Sequence, residues 1–149
     1  TGYNDVWYST DGANWTLATN SMFSKGRGGI AVTTFNSKMW VIGGFGGGCS
    51  GDCSDVWYST NGSSWTQSTS NLGAGSYGHS AASTSSKIWV FGGGYGSSNL
   101  SWYSSDGITW SSLSFPSGTS GTSQFSDSNN VIHDGAIWLT GKNKVWKLK

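Results

Sequence analysis

Glutamate is absent from this 149-residue sequence, proline occurs once, and only 10% of the residues carry a charge. Eight basic residues oppose seven acidic ones, which gives a formal net charge of +1. So small a net charge leaves no basic surface of the kind that binds nucleic acid or an anionic membrane. No apolar run approaches the ~18 residues of a membrane-spanning helix. We therefore expect neither nucleic acid nor a membrane among the partners of this protein.

Cysteine is scarce as well, since Cys49 and Cys53 are the only two. A structural zinc site needs four ligands, and the two histidines, His79 and His133, stand in unrelated sequence contexts. The spacing therefore favours a disulfide that closes a short loop over a zinc site, and we expect no metal and no cofactor. A local disulfide is typical of an oxidising compartment, which predicts an extracellular or cell-surface location.

Aromatic residues and glycine dominate what is present. The chain has ten Trp, six Tyr and six Phe residues, together with 24 Gly. Each large aromatic side chain can remove roughly 150–250 Å² from water, so a buried core is within reach. Aromatic residues surrounded by Gly, Ser and Thr, with almost no Pro, predict many short strands joined by turns. The composition thus predicts an all-β fold.

One stretch occurs three times along the chain. It runs from Val6 to Trp15 and returns, with changes, at Val56 to Trp65 and at Ser101 to Trp110. Each copy is an aromatic run, an Asp-Gly or Asn-Gly pair, and a second run that opens on tryptophan. Such a pair between two strands predicts a hairpin with a type I′ turn, in which both central residues have positive φ. The three pairs are Asp11-Gly12, Asn61-Gly62 and Asp106-Gly107.

A second unit repeats with a constant period. Trp40, Trp89 and Trp138 are 49 residues apart in both intervals (89 − 40 and 138 − 89), each within an apolar strand. A strand of small residues precedes each of them, at 29–35, 79–83 and 130–133. Equal spacing of this length is typical of propellers, solenoids and arrays. Small side chains suit the crowded centre of a propeller, so we order each unit as strand a (small residues), b (with the recurring Trp), c and d (the hairpin).

These residues resemble kelch repeats. The resemblance rests on the Gly43-Gly44 and Gly92-Gly93 doublets that end strand b, and on the aromatic residues of strands c and d. The starts of strand a, at 27–31 and 77–81, are also similar to kelch repeats. The resemblance covers nearly all of the chain. It implies kelch-type β-propeller blades of four antiparallel strands, similar to the central domain of galactose oxidase.

The number of blades departs from that family. The strands read as a partial blade at 1–26, blades at 27–75 and 76–121, and a partial blade at 122–149, which is about three blades in a single segment. Single-chain propellers have typically four to eight blades, and three cannot close a ring. We therefore expect a homodimer that closes a six-bladed ring. The alternative is a piece of a longer propeller whose other blades precede Thr1.

The end of the chain complicates this count. Residues 143–149 resemble residues 4–10, a shift of 139 positions, so the end reads as one more strand c without its strand d. A blade shared between the two ends of a propeller has room for a single strand c. Either one of the two strands is displaced in the assembled ring, or the chain belongs to a longer propeller.

Ligand binding is predicted at loop residues that break the repeat. Aromatic residues that return in every blade are explained by packing between blades, whereas propellers place their binding surface on the loops of one face. The candidates are Arg27, Phe45, Tyr77, His79, Tyr95 and Phe125. His79 has a structural alternative, as a hydrogen-bonded residue at the start of a strand. The prediction is a non-catalytic binding module, with carbohydrate as the first ligand to test and protein as the other.

Catalysis has little support in the sequence. Once the aspartates of turns and repeated positions are set aside, only Asp52, Asp127 and Asp134 are left, too dispersed to form an acid–base pair. Arg27 is the only arginine, whereas a sialidase-type site needs several. We therefore predict that the chain is not an enzyme. Two alternatives stay open: a fragment of a larger kelch-propeller enzyme of the galactose oxidase or glycosidase type, and a purely structural fragment that assembles propellers.

Overall fold

The computed structural model describes residues 2–93, 101–113, 129–141 and 144–148, and the chain is all-β throughout these ranges. Two candidate ligand residues, Tyr95 and Phe125, lie outside them. The described residues contain no helix, and so none that is long and apolar enough to cross a membrane. Their strands are β1 (Val6–Tyr8), β2 (Thr16–Thr19), β3 (Arg27–Gly28), β4 (Ala31–Phe35), β5 (Lys38–Gly46), β6 (Asp52–Ser59), β7 (Thr66–Gln67), β8 (Ser80–Ser83), β9 (Ile88–Phe91), β10 (Ser101–Ser104), β11 (Ser111–Leu113), β12 (Asn129–His133), β13 (Ala136–Gly141) and β14 (Lys144–Leu148).

The strands form four antiparallel sheets, which confirms the predicted fold class at this level. The first sheet is the hairpin β1–β2. The second has the order β3-β5-β6-β7, with β4 also paired to β5, and the third has the order β8-β9-β10-β11. The fourth has the order β12-β13-β14. In the terms of the repeat, the first sheet contains strands c and d, and the fourth contains a, b and a strand c formed by the end of the chain.

Successive sheets stack through their strands of small residues. Strand β4 lies beside β8, and β8 lies beside β12. The Ser83 hydroxyl donates a hydrogen bond to the backbone oxygen of Thr34. The Asn130 side chain makes the same kind of contact one sheet later, with Nδ2 3.1 Å from the backbone oxygen of Ala81. The strands of small residues therefore form the line along which the sheets follow one another.

Apolar clusters fill the spaces between neighbouring sheets. The cluster between the second and third sheets includes Trp40, Ile42, Val56, Ile88 and Val90, all buried. The cluster between the third and fourth sheets is formed by Ala82, Phe91, Ile137 and Leu139. The first hairpin and the segment that follows it pack on the second sheet in a cluster of Met22, Phe23 and Val41. At roughly 1.5–3 kcal/mol for each fully buried large aliphatic side chain, these clusters are the main source of stability.

The recurring tryptophans do not all have the buried position that their recurrence predicts. Trp40 is buried and donates a hydrogen bond from Nε1 to the backbone oxygen of Phe35 at 3.0 Å. Trp7 and Trp15, by contrast, are at least half exposed. Among the described residues, no sheet precedes the first hairpin, so nothing covers its outer side. Packing in this fold depends on the neighbouring sheet as well as on the repeat.

The turn prediction at the Asp-Gly pairs is wrong. Asp11 is not among the described residues with positive φ, although Gly12 has a φ of 75°. Ser9 Oγ accepts a hydrogen bond from the Gly12 amide at 2.8 Å, and Asp11 Oδ1 accepts from Ala13 and Asn14 at 2.9 and 2.8 Å. These side-chain acceptors replace the backbone hydrogen bond of a two-residue turn, so the loop is longer than predicted.

The same loop is built at the other two pairs. Asn61 Oδ1 accepts hydrogen bonds from the amides of Ser63 and Ser64, and Asp106 Oδ1 does so from Ile108 and Thr109. These backbone donors lower the pKa of Asp106 to about 2. Paired positive φ angles occur instead between strands a and b, at Asn36-Ser37 (49° and 57°) and Asp134-Gly135 (51° and 67°). The tight hairpins therefore lie one connection away from where the dipeptides indicate.

Candidate functional site

Two of the predicted ligand residues meet in a shallow cleft at one end of the second sheet. The ring centroids of Phe45 and Tyr77 are 5.5 Å apart, with an angle of 57° between the ring planes. Phe45 is 56% exposed and Tyr77 is half-buried. The cleft has a volume of about 450 Å³, and Gly2, Gly26, Gly28 and Gly46 line it together with the two rings. This aromatic pair over a glycine floor is the candidate site.

Phe45 is held on both sides by backbone pairing. Strand β5 continues beyond the Gly43-Gly44 doublet, and Phe45 pairs with Gly28 on one side and with Asp52 on the other. The loop that follows is closed by the predicted disulfide between Cys49 and Cys53, whose Cα atoms are 5.5 Å apart. The structure thus confirms the disulfide and shows what it does. It closes the loop that follows the strand carrying the exposed ring.

Tyr77 sits on a connection that is tied to the second sheet. The amide of Gly78 donates to the backbone oxygen of Gly29 at 3.0 Å. Ser76 donates from its amide to the backbone oxygen of Cys53 at 3.0 Å and accepts from the amide of Gly44 at 2.7 Å. Because these bonds fix the backbone on both sides of Tyr77, the two rings meet in a preformed arrangement.

Glycine at the floor of the cleft allows two backbone segments to touch. A Cβ atom on Gly26 would lie 1.8 Å from the backbone oxygen of Gly2, so a side chain would push the segments apart. The segment beginning at Gly2 is also tied to this region, because the amide of Arg27 donates to the backbone oxygen of Tyr3 at 3.2 Å. The floor therefore presents backbone to the cleft, while the two aromatic rings supply its apolar wall.

Arg27 is buried rather than free on a loop, which corrects the expectation for this residue. Its Nη1 and Nη2 atoms lie 2.6 and 3.0 Å from the two carboxylate oxygens of Asp55, and Nη1 also donates to the backbone oxygen of Gly43. The guanidinium carbon lies 3.9 Å from the centroid of the Phe23 ring. A buried guanidinium needs such partners, so the hydrogen bonds of Arg27 stabilise the fold.

The carboxylate of Asp55 shows the effect of this pairing. Burial by itself would raise its pKa, but hydrogen bonds from Arg27 and from Trp57 Nε1, at 2.6 Å, bring the pKa below its usual value. The charged form is therefore favoured in the folded protein. Asp55 and the two cysteines lie within 4.8 Å of one another, but both sulfur atoms are consumed by the disulfide, so these three residues cannot hold a metal.

His79 is also buried, as its structural alternative predicted. Its Nε2 atom lies 2.9 Å from the backbone oxygen of Ile42, on the neighbouring sheet. Burial lowers the pKa of the ring to about 4, and the hydrogen bond to Ile42 opposes this only in part. The ring is therefore neutral near pH 7, with Nε2 as the donor. His79 joins the second sheet to the connection before the third and does not reach the cleft.

A larger cavity, of about 680 Å³, was not predicted from the sequence. It lies between the first hairpin and the inner strands of the second sheet, and its walls include Val6, Met22, Val32, Met39 and Val41. The signal in the sequence is that the first hairpin run has no strand of small residues before it, and the first sheet contains only β1 and β2.

No protein-family model matches this chain, and a search of curated proteins finds no match. A function for the chain can therefore be inferred only from the geometry of the cleft and of the cavity.

Proposed function

We propose that the protein is a non-catalytic binding module that takes a carbohydrate in the cleft between Phe45 and Tyr77. The observation that carries this proposal is the exposed face of Phe45, held against Tyr77 at a centroid distance of 5.5 Å on a backbone fixed from both sides. Isolated exposed apolar residues are ordinary on protein surfaces. An aromatic pair with one exposed ring over a cleft of about 450 Å³ is a more specific feature, since small-ligand sites have volumes of roughly 300–1,000 Å³.

Carbohydrate fits the chemistry of this cleft. A sugar ring has faces of C–H groups and a rim of hydroxyls, so it can pack on an aromatic face while its hydroxyls meet polar groups. Backbone carbonyl oxygens of the glycine floor, such as that of Gly26, already accept one hydrogen bond and can accept a second. The backbone needs no rearrangement to present them, which lowers the entropy lost on binding.

Binding without catalysis is favoured by what lines the cleft. Within the described part of the chain, its wall carries glycine and two aromatic residues, and no carboxylate, histidine or cysteine. Hydrolysis of a glycosidic bond ordinarily needs two carboxyl groups that flank the bond. The buried Arg27–Asp55 pair is engaged in the fold, and His79 is neutral and enclosed. We therefore assign the cleft recognition rather than chemistry.

The module is proposed to be half of a kelch-like propeller. Support comes from the four antiparallel sheets and from the line of β4, β8 and β12, in which small-residue strands of successive sheets lie side by side. A homodimer with a six-bladed ring would complete the partial blades at the two ends of the chain. The disulfide between Cys49 and Cys53 is compatible with an extracellular location, which we propose on that ground.

Glycan-array binding, followed by fluorescence titration of the best ligand, tests the function. We expect Phe45→Ala to weaken binding strongly, because it removes the exposed wall of the cleft while leaving the circular dichroism spectrum unchanged. Ile108→Ala is the matched control, since Ile108 is also exposed but lies in the loop between β10 and β11. The proposal fails if no glycan binds, or if the Phe45→Ala protein binds as well as the control.

A further inference from the structure

The inner strands of the second sheet have an uncovered apolar face. Val32 on β4 and Met39 on β5 are 62% and 37% exposed, and both line the cavity of about 680 Å³. Strand β1 lies at the edge of that cavity and pairs only with β2 among the named strands. The first hairpin and the segment after it cover Val41 of this face, through Val6 and Phe23, and leave Val32 and Met39 exposed.

The repeat shows that this face is built to be covered. Met39 corresponds to Ile88 one period later (39 + 49) and to Ile137 two periods later (39 + 98). Ile88 is fully buried and Ile137 is 2% exposed, because the preceding sheet packs over each of them. Met39, by contrast, faces a sheet that has only strands c and d among the described residues, and it is 37% exposed.

The fourth sheet also has an uncovered face, on the side that points away from the third sheet. Val145 on β14 corresponds to Val56 on β6, since each precedes the tryptophan of its strand c. Val56 is fully buried under the next sheet, whereas Val145 is 63% exposed. Val131 on β12 is likewise exposed, although Ala82, its counterpart 49 positions earlier, is buried. The two open faces are therefore complementary members of one repeated interface.

The edge strand of the fourth sheet, β14, resembles β1. Strand β14 pairs with β13, with Leu139 opposite Trp146 and Thr140 opposite Val145. Trp146 packs on the cluster between the third and fourth sheets. The Val145-Trp146 pair matches Val6-Trp7 of β1. The position of strand c beside β13 thus has two candidates, β14 and the β1 of a second copy. In the single chain β14 occupies it.

We propose that a second copy of this chain fills the cavity with its strands β12 and β13. Strand β1 then pairs with β13 of that copy in place of its β14, so that the hairpin β1–β2 completes the last sheet of the second copy. Val131 of the second copy covers Val32, and Trp7 takes the position of the displaced Trp146. The inference rests on the proposed propeller assembly, and it names the surface and the strand that is exchanged.

Complementation between two variants tests the interface. Val32→Glu and Val131→Glu change side chains that are exposed in the single chain, so each protein is expected to fold. Each substitution buries a carboxylate charge in the proposed interface, so the affinity of dimerisation is expected to fall by well over tenfold. An equimolar mixture retains one intact interface out of two, so native mass spectrometry is expected to show a dimer with one copy of each variant. Ile108→Glu, in a loop outside the interface, is expected to dimerise normally.

Two equivalent tryptophans test the strand exchange. Trp7→Ala removes a contact made only in the dimer, so it is expected to lower the dimer fraction several-fold. Trp146→Ala weakens the strand that must leave, so it is expected to raise that fraction. A shift in the same direction for both variants would overturn the exchange.

The assembly itself is overturned in three ways: if the unaltered chain sediments at 15.7 kDa at all micromolar concentrations, if the Val32→Glu protein still dimerises by itself, or if the mixture contains no mixed dimer. Failure of the ligand site gives a different result. The cleft is formed within one chain, so monomeric Val32→Glu protein is expected to bind glycan, and Phe45→Ala protein is expected to dimerise.

Discussion

Asn130 Nδ2 donates a hydrogen bond to the backbone oxygen of Ala81 at 3.1 Å, and the two residues lie 49 positions apart in the sequence. Ser83 bonds the backbone oxygen of Thr34 across the same interval. The period of the sequence is therefore also the step between stacked sheets. In the proposed dimer, we expect the sheets at the two ends of the chain to make the same contact with a second copy.

Trp40→Ala is expected to lower the free energy of unfolding by about 3–5 kcal/mol, the usual cost of removing a large buried aromatic side chain. The ring of Trp40 fills the cluster between the second and third sheets, and its Nε1–H is hydrogen-bonded. Trp15→Ala is the matched control, because Trp15 is exposed in the single chain and its loss should change stability by less than about 0.5 kcal/mol. Urea denaturation of the monomer compares the two. Equal losses would contradict the assignment of Trp40 to the core.

Arg27→Met is expected to destabilise the protein by roughly 3 kcal/mol, because it leaves the half-buried carboxylate of Asp55 without its charged partner. The double variant Arg27→Met/Asp55→Asn should recover part of that loss, since no unpaired charge then remains. A double-mutant cycle measured by chemical denaturation gives the coupling free energy between Arg27 and Asp55. If the two single losses simply add, the pair at 2.6 Å does not act as a unit.

The same pair predicts a dependence of stability on acid. The pKa of Asp55 is lower in the folded protein than in the unfolded chain. Its contribution to stability is therefore complete above the unfolded pKa of ~3.9 and is lost as pH falls through the lower, folded pKa. Asp55→Asn should make the free energy of unfolding less dependent on pH below about pH 4. An unchanged slope in that range would contradict the lowered pKa.

His79 predicts a second loss of stability in a higher pH range. Because burial lowers its pKa from 6.5 to about 4, the unfolded chain takes up a proton before the folded protein does. The neutral ring stabilises the fold above about pH 6.5, and roughly 2–3 kcal/mol of that is lost as pH falls towards 4. His79→Gln should remove this dependence. His133→Gln is the control, since the side chain of His133 is 71% exposed, and a change in slope for the control alone would contradict the prediction.

Reduction of the disulfide is expected to cost about 2 kcal/mol, because the loop it closes is short, and to leave the sheets intact. The larger effect should be on the cleft, since the loop from Cys49 to Cys53 follows the strand that carries Phe45. Mass spectrometry before and after reduction tests the bond, and circular dichroism with glycan titration tests its consequences. Global unfolding of the Cys53→Ala protein would contradict this prediction.

Much of the fold was predictable because the relevant signals are local or periodic. The strands of small residues, the recurring Trp40-type strands and the hairpin runs all appear in the structure, in the predicted order within each sheet. The turn chemistry was not predictable from the dipeptides. The side chains of Ser9 and Asp11 accept hydrogen bonds from backbone amides of their own loop. Competition between side-chain and backbone acceptors therefore determines the type of turn.

The candidate site was predicted only in part. Phe45 and Tyr77 were both proposed, but nothing in their spacing shows that the rings lie 5.5 Å apart. Arg27 was proposed as a free loop residue, and its pairing with Asp55, 28 positions away, withdraws it from solvent. Tyr95 and Phe125 lie outside the described residues and stay predictions.

The sequence alone determined the all-β class, the order of strands within a unit and the pairing of Cys49 with Cys53, because each depends on residue type and spacing along the chain. Only the tertiary structure decided which side chains are buried and which face is open. Met39 and Ile88 hold the same place in the repeat, yet one is exposed and the other is not. Burial depends on the neighbouring sheet, and the repeated sequence of a strand does not show whether the sheet beside it is complete.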